Sequence, residues 1–141
     1  MAGASRRRPA YRWAAIAAGV PVIAVLAACG GSSKPAYCAD RAGLEESVKE
    51  LPGFVTSADL SGLRTQAETV EEAAGTLVES AKADFPSQTE AIDSSVRSLR
   101  GAVAALPPEP TPTQFAQVGV EAATVVSAVR GFSRATESEC G

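Results

Sequence analysis

The chain has 141 residues, 45% of them apolar and 21% charged, which suits one ordinary globular domain and is too short for two comfortable ones. Its formal charge of −3 excludes a broadly basic nucleic-acid footprint. The absence of His removes the usual general base and the usual ligand for haem, zinc and copper.

Residues 1–12 hold Arg6, Arg7, Arg8 and Arg12 and no acid, and Trp13 to Ala28 follow without a charge. A basic head, a short apolar core and small residues make the layout of a secretory signal peptide. The apolar run of 16 residues, interrupted by Pro21, falls short of the roughly 20 that cross a bilayer as a helix. Length and ending therefore favour a removed signal helix over the alternative, an uncleaved anchor. Leu26-Ala27-Ala28-Cys29-Gly30 closes the segment and resembles the lipobox of bacterial lipoproteins. In that family a diacylglycerol is attached to the Cys thiol, and signal peptidase II cleaves just before it. The resemblance covers residues 1–30. It implies lipidation at Cys29, loss of residues 1–28, and a lipid anchor on the extracytoplasmic face of the cell membrane. Two export routes stay open. Ser5-Arg6-Arg7-Arg8-Pro9 carries the Arg pair of a twin-arginine signal, but Pro9-Ala10 stands where such signals place an apolar residue, which favours the general secretory route.

Removing residues 1–28 takes four Arg and no acid, so 9 basic and 16 acidic residues remain, a net −7. An acidic domain is repelled by an anionic lipid surface, and acyl chains must hold it there; two chains anchor stably where one does not. Residues 29–36 form the lipidated tether. Its segment Gly30 to Ala36 is made of small residues and reaches at most about 25 Å. If Cys29 takes the lipid, Cys38 and Cys140 remain; the alternative is two unrelated buried thiols, but outside the cytoplasm, with no competing Cys, a disulfide between them is the favoured reading. That bridge closes a loop of about 100 residues, worth up to roughly 4–5 kcal/mol in the chain-entropy model.

Residues 37–141 carry four helical patterns. Tyr37, Leu44, Val48 and Leu51 share one helix face, and Leu51-Pro52-Gly53 is expected to end it. Leu60, Leu63, Ala67, Val70, Ala74, Leu77 and Ala81 alternate spacings of 3 and 4, with Thr56 or Ser57 as the expected cap and Phe85-Pro86 as the stop. Ser87-Gln88-Thr89-Glu90 reads as a capping box opening the third pattern, Ile92, Val96, Leu99, Val103 and Leu106. Thr111-Pro112-Thr113-Gln114 reads as another, opening the fourth, Phe115, Val118, Ala122, Val125, Val129, Phe132 and Thr136. Short breaks between such patterns favour antiparallel neighbours. The predicted fold is all-α: an antiparallel up-down-up-down four-helix bundle preceded by a separate signal-peptide helix. It places Cys38 and Cys140 at one end. The alternative is a three-helix core with the short first helix packed loosely across it.

Candidate chemistry is sparse. The first half is acidic, but Glu68, Glu72 and Glu79 lie off the second seam, and Glu79 precedes Lys82 by three residues, as on a solvated helix face. A di-metal carboxylate bundle needs Glu-x-x-His pairs, and a calcium loop needs alternating acids with Gly; neither occurs. Gly-x-Ser-x-Gly is absent, and Lys49 and Lys82, the helical candidates for a Ser-Lys pair, read as exposed. No catalytic residue, metal site or cofactor is assigned, and the protein is read as non-enzymatic. The fourth helix is the unusual one. Ala116, Gly119, Val120, Ala123, Val126 and Ala128 lie off its seam and form either a strip for another helix or the contacts of the most enclosed helix; enclosure is the favoured reading.

Tyr37-Cys38, Asp84-Phe85-Pro86 and Cys140-Gly141 resemble the pattern of small exported helical proteins of actinobacteria. That resemblance implies location and fold and carries no activity. The functional expectation is a lipid-anchored helical module of the cell envelope that acts by contact with an envelope protein and binds no nucleic acid. A carrier of small apolar ligands, held between Ala- and Val-lined helices, is the alternative.

Overall fold

Breakers and caps decide where this chain turns. The computed structural model describes residues 33–141, and every regular element among them is a helix. The segment 1–28, Cys29 and the tether as far as residue 32 lie outside the described residues.

α1 (Ala36–Lys49) starts one residue inside the expected tether, directly after Pro35. Lys34 Nζ donates to the Cys140 carbonyl at 2.8 Å, which ties this stretch to the far end of the domain. Pro52-Gly53 does not end the helical run. The chain pauses at Glu50 and continues as α2 (Leu51–Thr56), with Pro52 in its first turn. Pro52 has no N–H to donate and its ring crowds the preceding turn, which interrupts the run at Glu50, while its fixed φ suits the first turn of a new helix. Gly53 N–H bonds the Glu50 carbonyl at 3.0 Å instead.

α2 ends in a left-handed residue, Ala58, at φ 53°. Asp59 N–H reaches back to the Phe54 carbonyl at 3.1 Å and Ala58 N–H to Val55 at 3.3 Å, the paired closing bonds of a Schellman motif. Because Thr56 and Ser57 are used in this turn, the cap of α3 (Leu60–Ala81) passes to Asp59, whose carboxylate accepts from Gly62 N–H at 2.9 Å. A Cβ on Gly62 would stand 2.5 Å from both Asp59 Oδ2 and the Phe54 ring, so this turn needs a glycine.

α4 (Pro86–Ala104) starts one residue before the expected capping box, which does not form. Pro86 is set for the first helical position and leaves Ser87 inside the first turn. Thr89 Oγ1 donates to the Phe85 and Pro86 carbonyls at 2.9 and 3.1 Å. The box at α5 (Pro112–Ala135) does form: Thr111 Oγ1 accepts from Gln114 N–H at 3.3 Å, and Gln114 Oε1 accepts from Thr111 N–H at 2.8 Å. A last turn, α6 (Glu137–Cys140), carries Cys140 back to α1. The Cys38 and Cys140 sulfurs lie at bonding distance, 2.03 Å, across 102 positions of sequence.

The four seams meet in one core. Every seam residue is buried except Leu60, half-buried as the first residue of α3. α3 packs against α1, α2 and α4, and α5 against α1, α2 and α4. Tyr37, Phe85 and Phe132 make three edge-to-face contacts, 5.4–6.2 Å between ring centres, beside the disulfide. Two polar ties bind α3 to α1: Gln66 Nε2 to the Ser47 carbonyl and Ser80 Oγ to Asp40 Oδ2, both at 2.6 Å. No described helix is long and apolar enough to cross a membrane.

Candidate functional site

Part of the acidic surface is tied up in ion pairs. Glu46 meets Lys49 at 2.8 Å, Glu79 meets Lys82 at 2.8 Å, and Asp93 meets Arg97 at 2.7 Å, each within one helix turn. The Lys49 hydrogen bond and charge hold the Glu46 carboxyl below its usual range, and Glu46 raises Lys49 in return. Arg100 of α4 reaches across to Glu71 at 2.7 Å and Glu68 at 3.7 Å on α3, an inter-helix link that spacing along one helix does not reveal. Arg64, four residues before Glu68, turns instead to the Leu106 carbonyl at 3.3 Å. Among the described residues, no group of three or more His, Cys, Asp or Glu is placed to hold a metal ion. Two half-buried acids are engaged in other ways: Asp40 accepts from Ser80 at 2.6 Å, and Glu45 lines the groove described next.

The best-formed concavity is a groove between α1–α2 and α5. Its larger part, about 520 Å³, has Val48, Pro52, Val126 and Val129 as its floor and Lys49, Arg130 and Arg134 along its edge. A second hollow of about 340 Å³ shares Pro52, Val126 and Arg130 with the first and adds Val55, Gly119 and Ala123. The shared residues make the two hollows one continuous strip, open to solvent along its length. Two sequence features shape it. Pro52 divides the run into α1 and α2 and lines both hollows. Gly119 lets α2 approach α5, since a Cβ there would already stand 3.3 Å from Val55 Cγ1.

One end of the groove is fastened by Arg41, whose side chain is only 16% exposed. Its Nη1 donates to Thr136 Oγ1 at 3.2 Å and to the Ser133 carbonyl at 3.4 Å, and its Nε faces Glu45 at 3.6 Å. Ser133 Oγ donates to the same Glu45 oxygen. Glu45 lines the groove but is thereby engaged from two sides.

No family model matches the chain, and comparison with curated proteins and with solved structures found no significant match.

The fourth seam therefore has a different outer face from the enclosed one favoured by composition. Ala116 and Ala123 are exposed, and Val120 is 65% exposed, the one large apolar side chain so open among the described residues. Gly119, Ala123 and Val126 line the groove, while Ala128 packs against the core. Of the residues singled out in the sequence, Cys38 and Cys140 come together, and Cys29 lies outside the described residues. The α5 wall is legible in the sequence as the off-seam strip Gly119, Ala123 and Val126, but the groove is not, because its second wall lies some eighty positions away and Pro52 reads there as a terminator.

Proposed function

We propose that this protein is a non-enzymatic, lipid-anchored helical module on the extracytoplasmic face of the cell membrane, acting by protein contact through the α1–α2/α5 groove. The anchor rests on the lipobox resemblance at Leu26-Ala27-Ala28-Cys29-Gly30, with the lipid on Cys29. The helical unit is read as an antiparallel up-down-up-down four-helix bundle. In its support, α1, α3, α4 and α5 neighbour one another in a closed ring, α1 to α3 to α4 to α5 to α1. The starts of α1 and α4 and the end of α5 also share the aromatic trio. The described chain begins at the disulfide end, so a lipid upstream of Ser33 turns that end toward the membrane and α2 outward.

The observation that carries the contact reading is the groove itself: apolar, continuous and open. A carrier of small apolar ligands needs a pocket that buries most of its ligand, and the best-formed hollows here are surface troughs. The test is a photo-crosslinking amino acid placed at Val126 in intact cells, with Thr69 on the exposed face of α3 as the control site. A defined protein adduct from Val126, absent from Thr69, is the expected result. Lipid adducts alone, or the same adducts from both sites, would overturn the reading.

A further inference from the structure

We infer that the groove takes an acidic amphipathic helix of a partner protein, an inference that rests on the contact reading above. The charges carry it. Residues 33–141 contain nine cations. Lys34 and Arg64 are bonded to carbonyls, and Arg41, Lys49, Lys82, Arg97 and Arg100 face carboxylates. Only Arg130 and Arg134 make no ion pair or side-chain hydrogen bond among the described residues, and residues 1–32 contain no acid that could supply one. Both stand on the groove edge, one helical turn apart, both exposed. On a domain whose net charge is −7, the two unengaged cations are gathered at the edge of the best-formed apolar groove.

The shape selects the form of the partner. From Gly119 to Arg134 the α5 wall runs about 22 Å, the length of a four-turn helix. The floor residues Val55, Val126 and Val129 present apolar contacts at successive heights, which match side chains recurring every third or fourth residue of a docked helix. Carboxylates flanking such a stripe meet Arg130 and Arg134. Glu45, the acid that lines the groove, is already held by Arg41 and Ser133 and does not oppose them. Two other occupants fit poorly. The apolar segment Trp13 to Ala28 is flanked by Arg6, Arg7, Arg8 and Arg12, which the edge repels. A second copy offers the acidic face of α3, but its apolar side is buried in its own core.

The test uses the full-length lipoprotein purified in detergent and two fluorescent 18-residue helical peptides of the same apolar stripe. One is flanked by Glu and the other by Lys, and oleate is the competitor. In fluorescence anisotropy the Glu peptide is expected to bind about tenfold or more tighter than the Lys peptide, with the gap shrinking in high salt. R130E/R134E should reverse the order, R130Q/R134Q should abolish the preference, and A123D, on an exposed groove position, should weaken both peptides. Matched thermal melts show that the variants fold. Equal binding of the two peptides, a preference unchanged in R130E/R134E, or release of the bound Glu peptide by oleate overturns the inference. Failure of both peptides alongside a protein adduct from Val126 in cells overturns the acidic-helix assignment and leaves the contact reading standing.

Discussion

Tyr37 shows how one residue ties sequence to stability. It was legible as the first member of a seam, but its neighbours were not: Phe85 reads as part of a stop signal, and only the fold brings it and Phe132 to the Tyr37 ring. Burial raises the Tyr37 phenol above its ordinary value of 10.0, and the charges of Glu139 and Asp84 raise it further. The folded state therefore favours the protonated phenol, and the unfolded chain loses that proton first as pH rises. Stability from this group is complete below pH 10 and is lost as pH climbs through the raised value. Urea denaturation on either side of that point should show a loss of stability in the wild type that is smaller in Y37F. Equal losses in the two proteins would contradict the assignment.

At the scale of elements, boundaries were legible where capping chemistry is explicit. Thr111-Pro112-Thr113-Gln114 encodes its own start, because each partner of the box is present in four consecutive residues. Pro52-Gly53 misleads, because a proline both breaks a helix and begins one. The choice is made by tertiary contact, with Leu51 buried and Phe54 and Val55 packed against the core. The displaced cap at Asp59 follows from the same event. The turn that results places Ala58 in the left-handed region, where glycine is the usual residue. A58G should stabilise the protein by about 0.5 kcal/mol, the relief of strain being partly offset by a more flexible unfolded chain. Chemical denaturation checks the sign, and a destabilised A58G would mean that the closing turn is not as described.

For the whole molecule, the core was almost wholly readable from the 3- and 4-residue spacing of its apolar residues. The groove was not, because it depends on which charges remain unpaired after folding and on two walls brought together from distant segments. The Cys38–Cys140 link joins the start of α1 to α6 and encloses almost the entire described domain. A loop of that size is worth roughly 4–5 kcal/mol in the chain-entropy model, a large fraction of the stability of a small domain. Reduction should lower the melting temperature by more than about 10 °C, read by circular dichroism with and without reductant. An unchanged melt would assign the stability to the helical core alone.

The proposed role at the cell surface depends on where the chain is held. Growing the producing cells with an alkyne-bearing palmitate and linking the purified protein to a fluorophore tests this directly. The prediction is a labelled chain beginning at Cys29, with the label lost in C29A and kept in a C38S/C140S variant. A wild-type protein that carries no label, or keeps residues 1–28, would contradict it.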